Sequence, residues 1–547
     1  MHNALTKKAM LRSTVFKTLI FFLGILGFIA CKEKKTPINF PPTNLALTHM
    51  VPKPLKVIST NSAFGLDTYT VIYTSQHTAG FPEVGNFLAE KIKAKTGLEL
   101  LVNHTNGETV DRIIYINQSE STELSHNEAY QLYVQKDSII INAKTAEGAF
   151  RGIQTLRQII PETSNDTLAG HKIWPVPSGK IIDAPNFGYR GTMLDVSRHF
   201  FDLTDIKKYL DVLAYYKINV LHLHLSDDQG WRIEIKSWPQ LTKVGGSSEV
   251  GGGLGGFYTQ EEYVEIVNYA AERYITIIPE IDMPGHTNAA SVSYPILNGN
   301  GKTPKTYTGM RVGFSTFDTQ KDTVYAFIDD VVGEIAALTP GPYFHIGGDE
   351  SHVTKKKDYI HFVNRVEKIV QKHGKIMIGW DEIMQANVDS TTIAQHWNTK
   401  KNALTAARNG SKVILSPAKK AYLDMKYDSL SKHGLDWAAH IPVDTAYDWT
   451  PERFIENLPS EAILGIEAPL WSETITNIEE LEYLAFPRII GYAELGWTIA
   501  ENRNWENYKV RLAHQLSYLN RMRIKYYPTT LIDWEKSTDS LELVKRD

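Results

Sequence analysis

From about residue 189 to residue 473 the chain repeats one unit, a short apolar β-run followed by a longer stretch of helical spacing. The runs are Gly191–Val196, Val220–Leu225, Ile275–Glu280, Tyr343–Ile346, Ile376–Gly379, Thr392–Gln395, Val413–Leu415 and Ile463–Ile466. Strands separated by helices lie parallel, because each crossover carries the chain back along one face of the sheet. Eight such units predict an α/β fold, a closed (β/α)8 barrel. The helical stretches have their own signals. Ile206, Leu210, Leu213 and Lys217 recur at helical spacing after Thr204, the expected N-cap. Thr259-Gln260-Glu261-Glu262 reads as a capping box ahead of Ile266 and Val267. Val324, Phe327, Ile328, Val331 and Ile335 form a third stripe. Val363, Val366 and Val370 form a fourth, with Gly374 as its expected C-cap. A doubly wound sheet is the rival, but no glycine-rich phosphate turn follows the first run. Gly245 to Gly256, with seven glycines, is expected to be a solvated linker loop.

Before the barrel the rhythm differs. Leu55–Ser59, Leu98–Val102, Arg112–Ile116, Gln131–Val134 and Ser138–Ile141 are β-rich, and Glu83–Thr96 and Ala146–Ile160 have helical spacing. This predicts a small α+β companion domain over 54–183, followed by the barrel over 184–525 and a tail over 526–547. At the start, Lys7, Lys8, Arg12 and Lys17 precede an apolar run from Leu19 to Ala30. That run is shorter than the roughly 20 residues of a spanning helix. Phe28-Ile29-Ala30-Cys31 resembles a bacterial lipobox, and Cys31 is the only cysteine in the chain. The expectation is a signal peptide over 1–30, lipidation of Cys31, and a polar, proline-bearing tether over 31–53. A lipid anchor would hold the protein on a membrane of the bacterial cell envelope, facing the periplasm or exposed at the surface, without spanning it.

Composition excludes some partners. The net charge of -4 argues against nucleic acid, whose phosphates demand a basic face. A single cysteine excludes an internal disulfide framework and any cysteine-rich zinc site.

The strand ends carry the chemistry. Asp195 and Arg198 follow the first run, and Asp227 and Asp228 follow the second. Asp282 and His286 follow the third, and Asp349 and Glu350 the fourth. Trp380, Trp397, Tyr422 with Asp424, and Trp471 with Glu473 follow the others in turn. Parallel barrels gather such residues into one site at their C-terminal face. Carboxylates with tryptophans, and no nucleophilic Ser or Cys motif, fit sugar binding and glycosidic cleavage. Adjacent side chains on a strand point to opposite faces. Asp349 and Glu350 therefore fit a division of labour, one carboxyl the acid and the other handling a substituent of the substrate.

Residues 189 to 473 resemble glycoside hydrolase family 20, the β-N-acetylhexosaminidases. The motifs are Leu194-Asp195-Val196-Ser197-Arg198-His199, His222-Leu223-His224-Leu225-Ser226-Asp227-Asp228-Gln229, Asp282-Met283-Pro284-Gly285-His286, His345-Ile346-Gly347-Gly348-Asp349-Glu350 and Leu470-Trp471-Ser472-Glu473. The resemblance implies exo-acting hydrolysis of terminal β-linked GlcNAc or GalNAc with retention. In it the substrate's acetamido oxygen is the nucleophile, through an oxazoline-type intermediate. It implies Glu350 as acid and then base, and Asp349 as partner of the acetamido N–H. Tyr422 would bind the acetamido oxygen, and Trp380, Trp397 and Trp471 would wall the methyl pocket. Arg198, Glu473 and Asp424 would bind hydroxyls, and Asp227, His286 and Asp282 would support the acid. No metal or other cofactor is implied. The expected partner is an N-acetylhexosamine-terminated oligosaccharide or glycoconjugate. Two rivals remain. One is an inactive sugar-binding barrel. The other is a metal-dependent barrel hydrolase using His222, His224, His286 and His345, although a His pair on the second strand suits interior packing better.

Overall fold

A computed structural model describes residues 40–535 apart from 76–77, 105–111, 167–171 and 300–303. The expected signal peptide, Cys31 and most of the tail lie outside the described residues. The companion domain is a mixed sheet of β1 (Lys56–Leu66), β2 (Val71–Thr74), β3 (Leu101–His104), β4 (Ile113–Gln118), β5 (Tyr130–Val134), β6 (Ser138–Ala143), β7 (Asn165–Asp166) and β8 (Lys172–Asp183). Its order is β1-β8-β5-β6-β4-β2-β3, with β7 on β8. Helices α1 (Phe81–Thr96) and α2 (Ala146–Ile159) pack on the sheet and bury Leu88, Ile92, Phe150 and Ile153. β2, β7 and β8 had no sequence signal. β8 carries Pro175 and Pro177, which normally argue against a strand inside a sheet. It tolerates them because β5 pairs only with Gly179–Asp183, so the proline half has a ladder with β1 and not with β5.

The eight barrel runs close on themselves. They are β9 (Tyr189–Asp195), β10 (Val220–His224), β11 (Thr276–Glu280), β12 (Tyr343–His345), β13 (Ile376–Trp380), β14 (Ile393–His396), β15 (Val413–Leu415) and β16 (Ile463–Leu470). Every pair is parallel, and β16 returns to β9 with Gly465 opposite Tyr189. Tyr189, Val220, Ile278, Ile378, Ile393 and Ile414 fill one end of the interior as an apolar layer. The helix at Leu203–Tyr215 starts at Asp202 rather than Thr204, because the Asp202 carboxylate accepts from the Thr204 and Asp205 N–H groups. Thr259 and Glu262 form the expected capping box.

Two segments differ from expectation. The tether was to run to residue 53, but residues 45–51 lie against the body. Leu45 and Val51 are fully buried, Val51 N donates to Gln158 Oε1 at 2.8 Å, and Arg511 donates to Met50 O at 2.8 Å. Their apolar side chains are the reason. The glycine-rich 245–256 segment is solvated at its tip, residues 251–254, but its flanks are held to the barrel. The buried Arg232 guanidinium donates to the carbonyls of Gly246, Ser248 and Gly256, and to Ser197. Val250 N donates to Arg198 O at 3.0 Å, so the loop is built onto the barrel mouth.

Barrel and companion domain meet through buried charges. Glu128 lies between Arg151 of α2 and Arg190 of β9, with Arg151 Nε at 2.8 Å and Arg190 Nη1 at 3.0 Å. Burial opposes its charge, but Arg190 and Arg151 hold the carboxyl at about 2. Beside it, Asp183 accepts from Lys217 and Trp497 of the barrel, each at 2.9 Å. Removing one partner of a buried pair leaves an uncompensated charge and costs about 3–5 kcal/mol. Glu128→Gln is expected to lower stability by that order in thermal or urea unfolding. The folded pKa lies below the ordinary carboxylate value. The difference from wild type should therefore be full above about pH 4.5 and disappear as pH falls towards about 2.

Candidate active site

The upper layer of the barrel is built of charge. Register sets Asp195, His224, Glu280 and His345 side by side across β9, β10, β11 and β12. Glu280 is fully buried, and its Oε2 lies 2.7 Å from His224 Nδ1 and 2.9 Å from His222 Nε2. Its Oε1 accepts from the Trp380 indole at 3.0 Å. Burial opposes the charge, but His224, His345 and His222 hold this carboxyl well below the usual range. Glu467 of β16 does the same service on the other side of His222, 2.9 Å from Nδ1, and also accepts from Gln395 at 2.7 Å. The His pair therefore faces the barrel interior.

A hydrogen-bonded chain climbs from this layer to the mouth. His224 Nε2 lies 3.0 Å from Asp227 Oδ2, which also receives Arg198 Nη2 at 2.7 Å. Asp227 Oδ1 lies 3.1 Å from His286 Nδ1. Burial would raise the Asp227 carboxyl, but Arg198 and then His286 hold it well below the usual value. At the far side of the ring, His286 Nε2 is 3.7 Å from both Asp349 Oδ2 and Glu350 Oε2.

Asp349 and Glu350 escape strand alternation because β12 has already ended at His345. The chain then turns through Gly347 and Gly348, both at positive φ, and Glu350 itself sits at φ 45°. A Cβ at Gly347 would come within 1.8 Å of Asp282 Oδ1, so only glycine fits this turn. Asp282 Oδ1 accepts from Gly348 N at 3.0 Å, and Tyr359 OH donates to Gly348 O at 2.6 Å. Glu350 holds a left-handed conformation unusual for its type, as strained site residues often do. The turn brings both carboxyls within reach of the same imidazole. Burial, and then Asp349, raise the Glu350 carboxyl above its ordinary value, so it is biased toward its acid form. Its side chain is 29% exposed against 10% for Asp349, so Glu350 is the more open of the two.

An aromatic wall runs along the other strand ends. Trp380 and Trp471 ring centroids are 5.7 Å apart, Trp471 and Tyr422 are 6.2 Å apart, and Tyr422 stacks near Trp397 at 6.5 Å and 19°. Arg198 lies over Trp471 at 5.0 Å. Asp424 is buried and Glu473 half-buried, and the buried Asp424 Oδ2 and Glu473 Oε2 have no hydrogen-bond partner within the protein. Burial, and then Glu473, push the Asp424 carboxyl well up. Free buried acceptors of this kind fit ligand hydroxyls. Asp282 is likewise buried and pushed well up, by burial and then Asp349.

The fold thus places all of Arg198, Asp227, Asp282, His286, Asp349, Glu350, Trp380, Trp397, Tyr422, Asp424, Trp471 and Glu473 at the C-terminal strand ends. Sequence reasoning gave no role to Glu280 and Glu467, although a carboxylate in an apolar β-run beside a His pair is itself a signal. It also passed over Glu382 and Trp437. Glu382 accepts from the Trp397 indole at 3.0 Å, and burial, then Asp381, raise its carboxyl to about 8. Trp437, 57% exposed, stands edge-on to Tyr422 at 6.0 Å, in a segment without periodicity.

An acid-biased carboxyl beside a second carboxylate, at a barrel mouth that also carries a tryptophan wall, is the equipment for breaking a glycosidic bond, and the class is that of the barrel glycoside hydrolases. Comparison with known proteins agrees. Residues 187–500 match "Glycosyl hydrolase family 20, catalytic domain", and residues 48–184 match "Glycosyl hydrolase family 20, domain 2". The chain belongs to glycosyl hydrolase family 20. A β-N-acetylhexosaminidase of Cellulomonas fimi is 36% identical over 488 residues, covering 89% of this chain and 97% of that one. The family 20 β-N-acetylhexosaminidase structure from Streptomyces coelicolor A3(2) has a TM-score of 0.85 at 43% identity, covering 90% of this chain and 100% of that one. An Asp-to-Asn mutant of Streptomyces plicatus β-hexosaminidase, in complex with the product GlcNAc, has a TM-score of 0.84 at 43% identity, covering 91% and 99%.

Proposed function

We propose that the protein is an exo-acting, retaining β-N-acetylhexosaminidase. It releases terminal, non-reducing β-linked GlcNAc or GalNAc from oligosaccharides or glycoconjugates by substrate-assisted catalysis. The observation that carries this reading is the 347–350 turn, which sets an acid-biased Glu350 beside Asp349 at the same barrel mouth as the aromatic wall. Glu350 protonates the glycosidic oxygen as the bond to C1 breaks. The acetamido carbonyl oxygen attacks C1 from the other face, giving an oxazoline-type intermediate. Glu350, now a carboxylate, takes a proton from the water that opens it. Asp349 accepts from the acetamido N–H and balances the positive charge of the ring. Tyr422 donates to the acetamido oxygen, and Trp380, Trp397 and Trp471 enclose the methyl group. Arg198, Glu473 and Asp424 hold the ring hydroxyls. Asp227, His286 and Asp282 keep the two acids in place. The names of the relatives and the GlcNAc in the Streptomyces plicatus complex support this substrate class.

The test is the anomer first released from a β-GlcNAc donor, followed by NMR in the presence of a chelator. The β-anomer is expected, and an initial α-anomer would overturn retention. The two acids should also separate kinetically. General acid–base assistance is worth about 10²–10⁴ in rate. Glu350→Gln should lose that order with poor leaving groups and much less with an activated phenol. Asp349→Asn should lose rate with both, because it weakens formation of the cyclic intermediate. Equal dependence on leaving-group pKa would refute separate roles.

We also propose that the mature chain begins at a lipidated Cys31 and is held on a membrane of the cell envelope. The basic segment, the short apolar run and the position of the sole cysteine support this. Among the described residues no helix is long and apolar enough to cross a membrane. Mass spectrometry of the mature N-terminus is expected to find an acylated Cys31. A free Cys31, or cleavage elsewhere, would refute it.

A further inference from the structure

Among the described residues, four groups of His, Asp and Glu, at the barrel mouth or in the layer below it, each bring three ligand-type atoms within 4.8 Å of one another. Three of them are engaged in part, although His345 Nε2 and Asp228 Oδ2 in them also lack a hydrogen-bond partner. In His222–Glu280–His345, both oxygens of Glu280 are taken, Oε2 by His222 and His224 and Oε1 by Trp380. In His224–Asp227–Asp282, His224 Nδ1 is held by Glu280 and Nε2 by Asp227. In Asp227–Asp228–His286, Asp227 is neutralised by Arg198, and His286 Nδ1 faces Asp227 itself.

The fourth group is different. Asp282 Oδ2, His286 Nε2 and Asp349 Oδ1 are each buried without a hydrogen-bond partner. Buried polar atoms are normally paired, and here three unpaired ones belong to one cluster. We infer that Asp282, His286 and Asp349 form a binding site for a divalent transition-metal ion, Zn²⁺ above all, whose occupancy shuts the active site.

Four observations fit this ligand. One imidazole nitrogen with two carboxylates is a donor set suited to Zn²⁺. His286 is already oriented as a zinc-binding histidine is, its other nitrogen 3.1 Å from the Asp227 carboxylate. Asp282 is fixed in turn by Gly348 N on its Oδ1, which leaves Oδ2 as the free atom. One of the three spacings is near that of a filled site. His286 Nε2 lies 3.7 Å from Asp349 Oδ2, the oxygen geminal to the unpaired Oδ1, and Zn–N and Zn–O bonds of about 2.1 Å set tetrahedral ligand edges near 3.4 Å. Glu350 Oε2 is also 3.7 Å from His286 Nε2, and either it or water can fill the fourth position.

This ion is an inhibitor, not a cofactor. It takes Asp349 away from the acetamido N–H and His286 away from the acid, a consequence that rests on the proposed reaction. The binding itself does not. The experiment is calorimetric titration of the chelator-treated, desalted full chain with ZnCl₂, alongside Asp282→Asn, Asp349→Asn and, as a control acid across the site, Asp424→Asn. Asp282→Asn retains the oxygen that accepts from Gly348, and thermal melting checks each variant. The expected result is one Zn²⁺ per chain, with affinity reduced at least about 10-fold in both Asp282→Asn and Asp349→Asn and unchanged in Asp424→Asn. Absence of binding up to millimolar Zn²⁺, or affinity unmoved in both site variants, would overturn the site. A second arm measures hydrolysis of an aryl β-GlcNAc substrate. Zn²⁺ should inhibit competitively in wild type and at least about 10-fold less potently in Asp282→Asn. Stoichiometric zinc binding in a chain inactive on that substrate without zinc would sustain the site and overturn the proposed reaction instead.

Discussion

Glu280 is the charge on which the centre depends. A carboxylate with no solvent exposure is tolerated only when its lone pairs are filled, and here two histidines and an indole fill them. Those partners are not inert. His224 passes the constraint to Asp227, Asp227 passes it to Arg198 and His286, and His286 faces both acids at the mouth. Trp380 fixes one panel of the aromatic wall through the same carboxylate. One buried anion thus orients the acid's neighbour and one panel of the aromatic wall.

Such a network is rigid because breaking any link strands a buried charge. That rigidity lets the 347–350 turn hold Glu350 at a positive φ and Asp349 largely sheltered. The electrostatics follow from placement. Asp227 is driven down because a guanidinium and an imidazole outweigh its burial, whereas Glu350 is driven up by burial and by Asp349. Two carboxyls of similar chemistry are separated into a fixed anion and an acid. The same crowding leaves Asp282, His286 and Asp349 each with an unpaired buried atom, the feature on which the proposed metal site rests.

The companion domain contributes no side chain to this centre among the contacts described. It meets the barrel through Glu128 and Asp183, buried acids that take Arg190, Lys217 and Trp497 from the barrel side. Specific buried pairs fix one docking geometry, where a purely apolar seam would tolerate slip.

The barrel was legible because its signal is local. Each β-run is short and apolar, each helix carries a stripe, and the capping box at Thr259 and Glu262 declares itself within four residues. The mouth was legible because residues past a parallel strand's end must lie at one face, and Arg198, Glu350 and Trp471 all follow such ends. β8 was not legible, since Pro175 and Pro177 deny a strand unless one knows that β5 pairs only with its other half. Nor was the 245–256 loop, whose order comes from Arg232 reaching across to its carbonyls. The sequence alone therefore determined the periodic elements and the chemical types at the barrel mouth, because both follow from neighbours along the chain. Only the tertiary structure decided which histidine faces which acid, which way each pKa moves and which donor atoms remain free. Those depend on distances between residues far apart in sequence and on the removal of water around them.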